Sequence, residues 1–412
     1  MSKKVIIIVV SLILIGGAFW YYLASKNATN SSSASTGTKS FLPFGDQSSG
    51  TNGQQSNAST PAENTINENG VSVTVKLNQV TPFSIAGFTL FNDTRPTQDP
   101  SVINTNTVPS GANSVPALRY VARADGHVYE EYLDTGASAP ISTSTIPSVH
   151  EALFGNNGKS VIYRYLDPTN DSIIQSYVGT LGDAIGSFLS TNINNVSISP
   201  DGSQYFYLIN NGNVAVGLIG SFGNTKRAQV FSSPFTEWMP QWTTKSTILL
   251  TTKPSWNVVG SVYSLNTSTQ NITKVFGGIN GLTTLASPSA TAILYAQDTS
   301  LGVYDVANKS FSNLSSATLP EKCVWSSDNI NIYCGVPDNI IGTQYPDLWY
   351  QGVDSFDDSI VEINTATGGA TTLIDTGSST PIDATHLMLS TDEKTLFMIN
   401  KKDSTLWSLS LS

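Results

Sequence analysis

The sequence predicts an all-β protein: a seven-bladed β-propeller of four-stranded blades, preceded by one N-terminal transmembrane helix and a disordered linker. Three observations carry this expectation. One apolar strand recurs at a nearly constant step, every copy has the same kinds of neighbour, and residues 1–70 differ in composition from everything after them.

The recurring strand reads LRYVARA from Leu118, SVIYRYL from Ser160, QYFYLIN from Gln204, STILLTT from Ser246 and TAILYAQ from Thr291, in steps of 42 to 45 residues. NINIYCG from Asn329 comes a little sooner, and KTLFMIN from Lys394 is delayed by an insertion, giving seven copies. A short strand and a turn precede each copy, as in VSISPDG, PQWTTKS, LASPSAT, CVWSSDN and LMLSTDE. An alternating strand follows, as in NVAVGLI, GSVYSLN, LGVYDVA, SIVEINT and TLWSLSL. Alternation of apolar and polar residues marks half-buried strands. RAQVFSS, ITKVF and ATTLID supply a fourth strand. Four strands repeated at one long period describe propeller blades. A β-sandwich also has closely spaced strands, but no four-strand unit repeated at a fixed period.

A propeller must pair its first and last blades or leave an open edge. The last segment, TLWSLSLS, matches the third strand of blade seven, so its fourth strand has to come from elsewhere. VSVTVKL, Val71 to Leu77, alternates well and is expected beside Leu406 to Leu409, with FTLFN (Phe88 to Asn92) as the innermost strand of blade one. The propeller is therefore expected over residues 71–412.

The first 26 residues are expected to be a transmembrane signal-anchor. Lys3 and Lys4 precede the apolar run Val5 to Leu23, which ends in Trp20, Tyr21 and Tyr22. Such a run is long enough to cross about 30 Å of hydrocarbon, aromatic rings favour the interface, and flanking lysines stay in the cytoplasm. The remainder is then extracytoplasmic. A cleaved signal peptide is the competing reading, but bulky aromatics occupy the place of its small-x-small site. Residues 27–70 are rich in Ser, Thr, Asn and Gly, bury too little to offset ordering entropy, and are expected to be a flexible linker.

SPDGSQYFYLI from Ser199 resembles the WD40-like repeat of the TolB-type propellers of bacterial envelopes, and Met239 to Thr252 keeps the Pro-x-Trp of that repeat at Pro240 and Trp242. The Gly-His and Trp-Asp dipeptides of eukaryotic WD40 blades are absent. The resemblance covers the propeller, rests on a structural turn, and implies an interaction or scaffold module in a bacterial-type envelope. Its partner would be an envelope protein or peptide, with the propeller itself a monomer.

Composition narrows the alternatives. A net charge of −10 with 20 basic and 30 acidic residues offers no basic stripe to track phosphates, so nucleic acid is not expected as a partner. Contact with the membrane is expected through the N-terminal helix only. No GxSxG, HExxH, GxxxxGK[ST] or EF-hand pattern occurs, and His127, His150 and His386 lie far apart, so neither a cofactor nor a metal is predicted. An enzyme or ligand sensor acting on polysaccharide or peptide at the axial channel remains the alternative, but residues gathered from several blades leave no linear motif.

Cys323 and Cys334 flank a turn near Ser327-Asp328 and fall opposite each other on paired strands. A disulfide is expected if that pair is close; two buried thiols are the alternative. The most distinctive segment is the insertion Gly335 to Asp358, between the second and third strands of blade six. Its Tyr345, Trp349 and Tyr350, and the acidic Asp354, Asp357 and Asp358, suit a binding loop, since long loops in compact domains are often functional; the alternative is that the aromatics pack the loop onto the propeller face or into its channel. Trp238 and Trp256 belong to the same face and are expected to extend that surface.

Overall fold

The computed structural model describes residues 62–68, 71–95, 113–182, 186–377 and 380–411. The expected anchor (1–26) and most of the expected linker lie outside these residues. Among the described residues no helix is long and apolar enough to cross a membrane.

The seven recurring apolar segments are each the second strand of a blade, and burial explains why they stand out. Gln204–Asn211, Thr247–Thr252, Ala292–Gln297 and Thr395–Asn400 all carry four or more consecutive buried residues. A strand covered on both faces needs apolar residues on both, so it loses the period-two pattern. Third strands such as Val214–Ser221 and Val259–Asn266 keep alternation. Fourth strands such as Ser310–Ala317 are largely exposed.

Six sheets have four strands in simple sequence order, from Ile85–Arg95, Asn113–Ala122, Val128–Tyr132 and Ser138–Pro140 in blade one to Cys323–Trp325, Asn331–Pro337, Asp358–Asn364 and Ala370–Asp375 in blade six. The core consists of layers between neighbouring blades. Phe206 and Leu208 of blade three pack with Trp242, Ile248 and Leu250 of blade four. Leu294 and Ala296 of blade five pack with Ile332 and Val361 of blade six. The sequence period also appears as hydrogen bonds between inner strands. Trp242 N donates to Ser197 Oγ (2.8 Å) and Ala286 N to Gln241 Oε1 (2.8 Å), each linking residues 45 positions apart.

Blade seven closes the ring. Ala384–Leu389, Thr395–Asn400 and Leu406–Ser410 are joined by Val71–Gln79, with Leu77 opposite Leu409 and Gln79 opposite Trp407. Leu77 and Leu409 are buried together with Met398 and, across the blade boundary, Leu373 and Ile374. One strand lies ahead of the expected boundary at Val71. Ala62–Glu68 pairs antiparallel with Val71–Gln79 and makes this the only five-stranded sheet among the described residues. Its sequence, AENTINE, alternates weakly, because the outer edge of a blade imposes no apolar face.

Strand order fixes two faces. Links between second and third strands emerge with the connectors between blades on one face, here the connector face. First-to-second and third-to-fourth turns emerge on the other.

Candidate interaction surface and axial chamber

The blade-six insertion leaves the sheet after Pro337 and returns at Asp358, passing through the single-turn helix Asp347–Tyr350. Asp338 N donates to Asp357 O (2.8 Å) and pinches its base. Tyr345, Trp349 and Phe356 are only 1%, 4% and 3% exposed and pack with Leu319, so the insertion carries a small core of its own. Tyr345 and Trp349 therefore pack the loop, the alternative to the binding role, and add no exposed surface. Each ring offers some 150–250 Å² for burial, and a loop lacking regular strands has no other source of cohesion. Tyr350 is half-buried, with its hydroxyl donating to Glu321 Oε1.

Beneath this core lies a buried ion cluster. Lys322, wholly buried, places Nζ 2.7 Å from Asp358 Oδ2 and 2.5 Å from Asp383 Oδ1, and both carboxylates are inaccessible too. Asp383 also accepts from Trp349 Nε1 (3.0 Å to each oxygen), Ser355 Oγ (3.2 Å) and Phe356 N (3.1 Å). Asp358 Oδ2 accepts from Ala384 N (2.6 Å), whereas Asp358 Oδ1 has no partner. Burial pushes the Asp358 carboxyl up to about 6, against the pull of Lys322. Desolvation of ions is costly unless they are paired and hydrogen-bonded, so this cluster determines where the insertion can sit. Asp358, expected as a surface acid, is a structural ion instead.

The insertion is a strap over several blades. On one side Asp347 Oδ2 accepts from Ser255 Oγ (3.0 Å) and Trp256 N (2.8 Å) of blade four. On the other, Lys401 Nζ of blade seven donates to Trp349 O (2.8 Å), and Lys402 pairs with Asp357. Gly281, between blades four and five, has φ +62, and a Cβ there would lie 3.1 Å from Tyr345 O. Glycine lets the connector pass under the strap.

Trp256 is exposed (39%) and stands where the sequence placed it, on the connector face. Trp238 does not: as the first residue of the inner strand Trp238–Thr244 it is buried edge-on to Phe231 and Tyr263, and its Nε1 donates to Phe235 O (2.8 Å). Asp354 accepts from Tyr345 Oη (2.8 Å), Asp357 pairs with Lys402, and Asp358 lies inside. These three acids diverge, and no cluster of ligands able to hold a metal occurs among the described residues. Four further apolar residues stand exposed in loops that emerge on this face. Phe235, Val258, Ile341 and Val353 are 65%, 54%, 86% and 66% exposed. Single aliphatic residues in loops carry no signal that separates an exposed one from a packed one.

Cys323 and Cys334 face each other in register on the first two strands of blade six, with sulfurs 2.11 Å apart.

A chamber of about 340 Å³ lies on the axis, walled by inner strands of blades seven, one, two and three, with Phe88, Phe154, Ile198, Met388, Glu151 and His386 among its lining. The carboxyls pushed upward by burial, at Glu130, Glu131, Asp298, Glu321 and Asp358, are not among the residues that line it.

No protein-family model matches the chain, and no curated protein does. Solved structures do. An oligogalacturonate lyase in complex with manganese is 10% identical over 85% of this chain and 96% of that one, with a TM-score of 0.54. An oligogalacturonate lyase from Vibrio parahaemolyticus is 10% identical over 86% and 97%, with a TM-score of 0.52. TolB from Acinetobacter baumannii is 12% identical over 78% and 79%, with a TM-score of 0.42. The shared feature is the fold. This chain is a seven-bladed β-propeller.

Proposed function

We propose that the protein is a membrane-anchored, extracytoplasmic propeller that serves as a protein-protein interaction module of a bacterial-type cell envelope. Its partner docks on the connector face over blades four to six. One observation carries this reading: apolar side chains stand exposed at Ile341 and Val353 of the strap, and at Trp256 and Val258 of the blade-four loop that Asp347 holds, while the strap itself is locked by buried aromatic and ionic contacts. Exposed apolar groups on a pre-organised platform lose little entropy on binding, and such patches mark interaction sites. Asp347 lies beside Trp256, and the chain carries a net charge of −10, so the fitting partner is an apolar segment with basic flanks; Glu237 on the same face is already paired with Lys253.

The test is capture of a partner from envelope extract by the full chain, compared with Trp256→Ala and the pair Ile341→Ser/Val353→Ser. All three side chains are exposed, so the fold tolerates the changes. Loss of a central aromatic anchor is expected to weaken binding about tenfold or more. Capture that survives both variants unchanged rejects the surface. The anchor is tested separately: the full chain should resist carbonate extraction from membranes, and removal of residues 1–26 should release it.

A further inference from the structure

The axial chamber is independent of the connector face and carries a site of its own. Its volume of about 340 Å³ lies within the range of small-molecule pockets, and its walls at Phe88, Phe154, Ile198 and Met388 are apolar. Three polar side chains are among its lining, Thr89, Glu151 and His386, and the last two are ionisable. In the inner strand Ala384–Leu389 the pairing register shifts between Thr385 and Met388, and His386 adopts φ +50, in the left-handed region. Such a conformation is unfavourable for a residue with a Cβ, and retained strain of this kind clusters at functional sites. The bulge turns the imidazole toward the axis, where solvent reaches it although Thr385 and Leu387 on either side are buried.

His386 Nδ1 lies 3.3 Å from Thr385 Oγ1, and Nε2 has no hydrogen-bond partner among the described residues. The surrounding protein lowers its pKa below 6.5, opposed by the nearby Glu151 charge, so the ring is neutral at pH 7. Glu151 gives Oε2 to Arg164 Nη1, and Arg164 is itself held by Ile193 O (2.7 Å); Glu151 Oε1 has no such partner. Behind this pair stand His150, on the same strand as Glu151, and Arg123, whose Nη2 donates to His150 O (3.4 Å).

Glu151 Oε1 is an acceptor, and His386 Nε2 is one as well in the tautomer whose Nδ1 proton points at Thr385 Oγ1. A ligand that satisfies them must donate, and its remainder must be apolar. We propose that the axial chamber binds a small organic ammonium ion with an apolar body, its N–H groups shared between Glu151 Oε1 and His386 Nε2. Phe88 and Phe154 line the body, and aromatic faces also attract cations. A carboxylate of the same shape is repelled by Glu151, and a neutral isostere forgoes the charge-assisted hydrogen bond.

Calorimetric titration of the detergent-solubilised full chain with benzylammonium, benzyl alcohol and benzoate tests this. Benzylammonium should bind with Kd below about 1 mM, benzyl alcohol at least tenfold more weakly, and benzoate not at all. Glu151→Gln should cost at least tenfold for the ammonium ion and little for the alcohol. His386→Ala, which touches no ion pair, should weaken the ammonium ion and reduce its loss of affinity as the pH is lowered and imidazolium forms. No binding of benzylammonium, equal binding of all three probes, or indifference to both substitutions overturns the proposal. None of these readouts involves Trp256, Ile341 or Val353, so the connector-face reading stands or falls separately.

Discussion

The turn Ser199–Gly202 and the strap Asp338–Asp357 are both organised by an aspartate, and they show two ways in which a carboxylate can shape a chain. Asp201 is exposed and accepts from Ser199 Oγ (2.6 Å), Ser203 N (3.0 Å) and Ser203 Oγ (2.9 Å), all within two residues. Asp383 is buried and gathers Lys322, Trp349, Ser355 and Phe356 from 27 to 61 positions away. The first is a local device, copied around the ring: Asp392 accepts from Ser390 Oγ (2.6 Å) and Lys394 N, and Asp328 from Ile330 N and Asn331 N. The second occurs once and depends on several blades being assembled. Repetition marks the turn as architecture. The strap stands where the repeat is interrupted, and its order depends on contacts between blades rather than on a local turn.

The largest effect that separates the two regions should come from Lys322→Met. It leaves Asp358 and Asp383 buried without their cation and is expected to cost about 3–5 kcal/mol in denaturant-induced unfolding. A cost below 1 kcal/mol would mean that the cluster does not hold the strap. Cys334→Ser comes next, at about 2–3 kcal/mol, from release of the short loop closed with Cys323. The wild-type chain, denatured without reductant, should accordingly titrate no free thiol.

The two aspartates should also differ in the sign of their pH dependence. Asp358 has a folded pKa of about 6 against 3.8, so the folded state takes up its proton first. Its contribution to stability rises as pH falls from 7 toward 4, by on the order of 2 kcal/mol. Asp201 is held below 3.8, chiefly by the Ser199 hydroxyl; its contribution is present above 3.8 and is lost as pH falls through its lower folded value. Unfolding midpoints at pH 7, 5 and 3 for wild type, Asp358→Asn and Asp201→Asn check both signs. The same slope in all three proteins would remove the distinction. The smallest effect is expected from Asp201→Ala, about 1 kcal/mol for an exposed turn with charge-assisted bonds.

Much of the ring was legible because it rests on local rules. Second strands buried on both faces, such as Gln204–Asn211, need continuous apolar runs, and third strands such as Val214–Ser221 need alternation. Edge pairing demanded a strand beside Leu406–Ser410, and Val71–Gln79 was the segment with the right pattern. The outer strand Ala62–Glu68 was illegible for the converse reason, since the last strand of a sheet, paired on one side, places little constraint on sequence.

Trp256 stands exposed on the connector face and Trp238 is buried, while for Tyr345 and Trp349 the packing alternative holds rather than the binding one. An aromatic residue in a loop looks alike whether it meets a partner or packs on its own chain. Phe235, Ile341 and Val353 gave no signal at all, and the axial chamber draws His386 and Glu151 from blades seven and two, 235 positions apart (386 − 151).

The sequence by itself determined the all-β class, the seven-fold period, the four-strand unit and the way the ring closes, because these follow from strand burial and turn chemistry acting over a few residues. Only the tertiary structure decided which loop residues face solvent, that Lys322 sits between Asp358 and Asp383, and that His386 shares the axis with Glu151. Those features depend on distances between blades, and a chain pattern contains such distances only after the ring has closed.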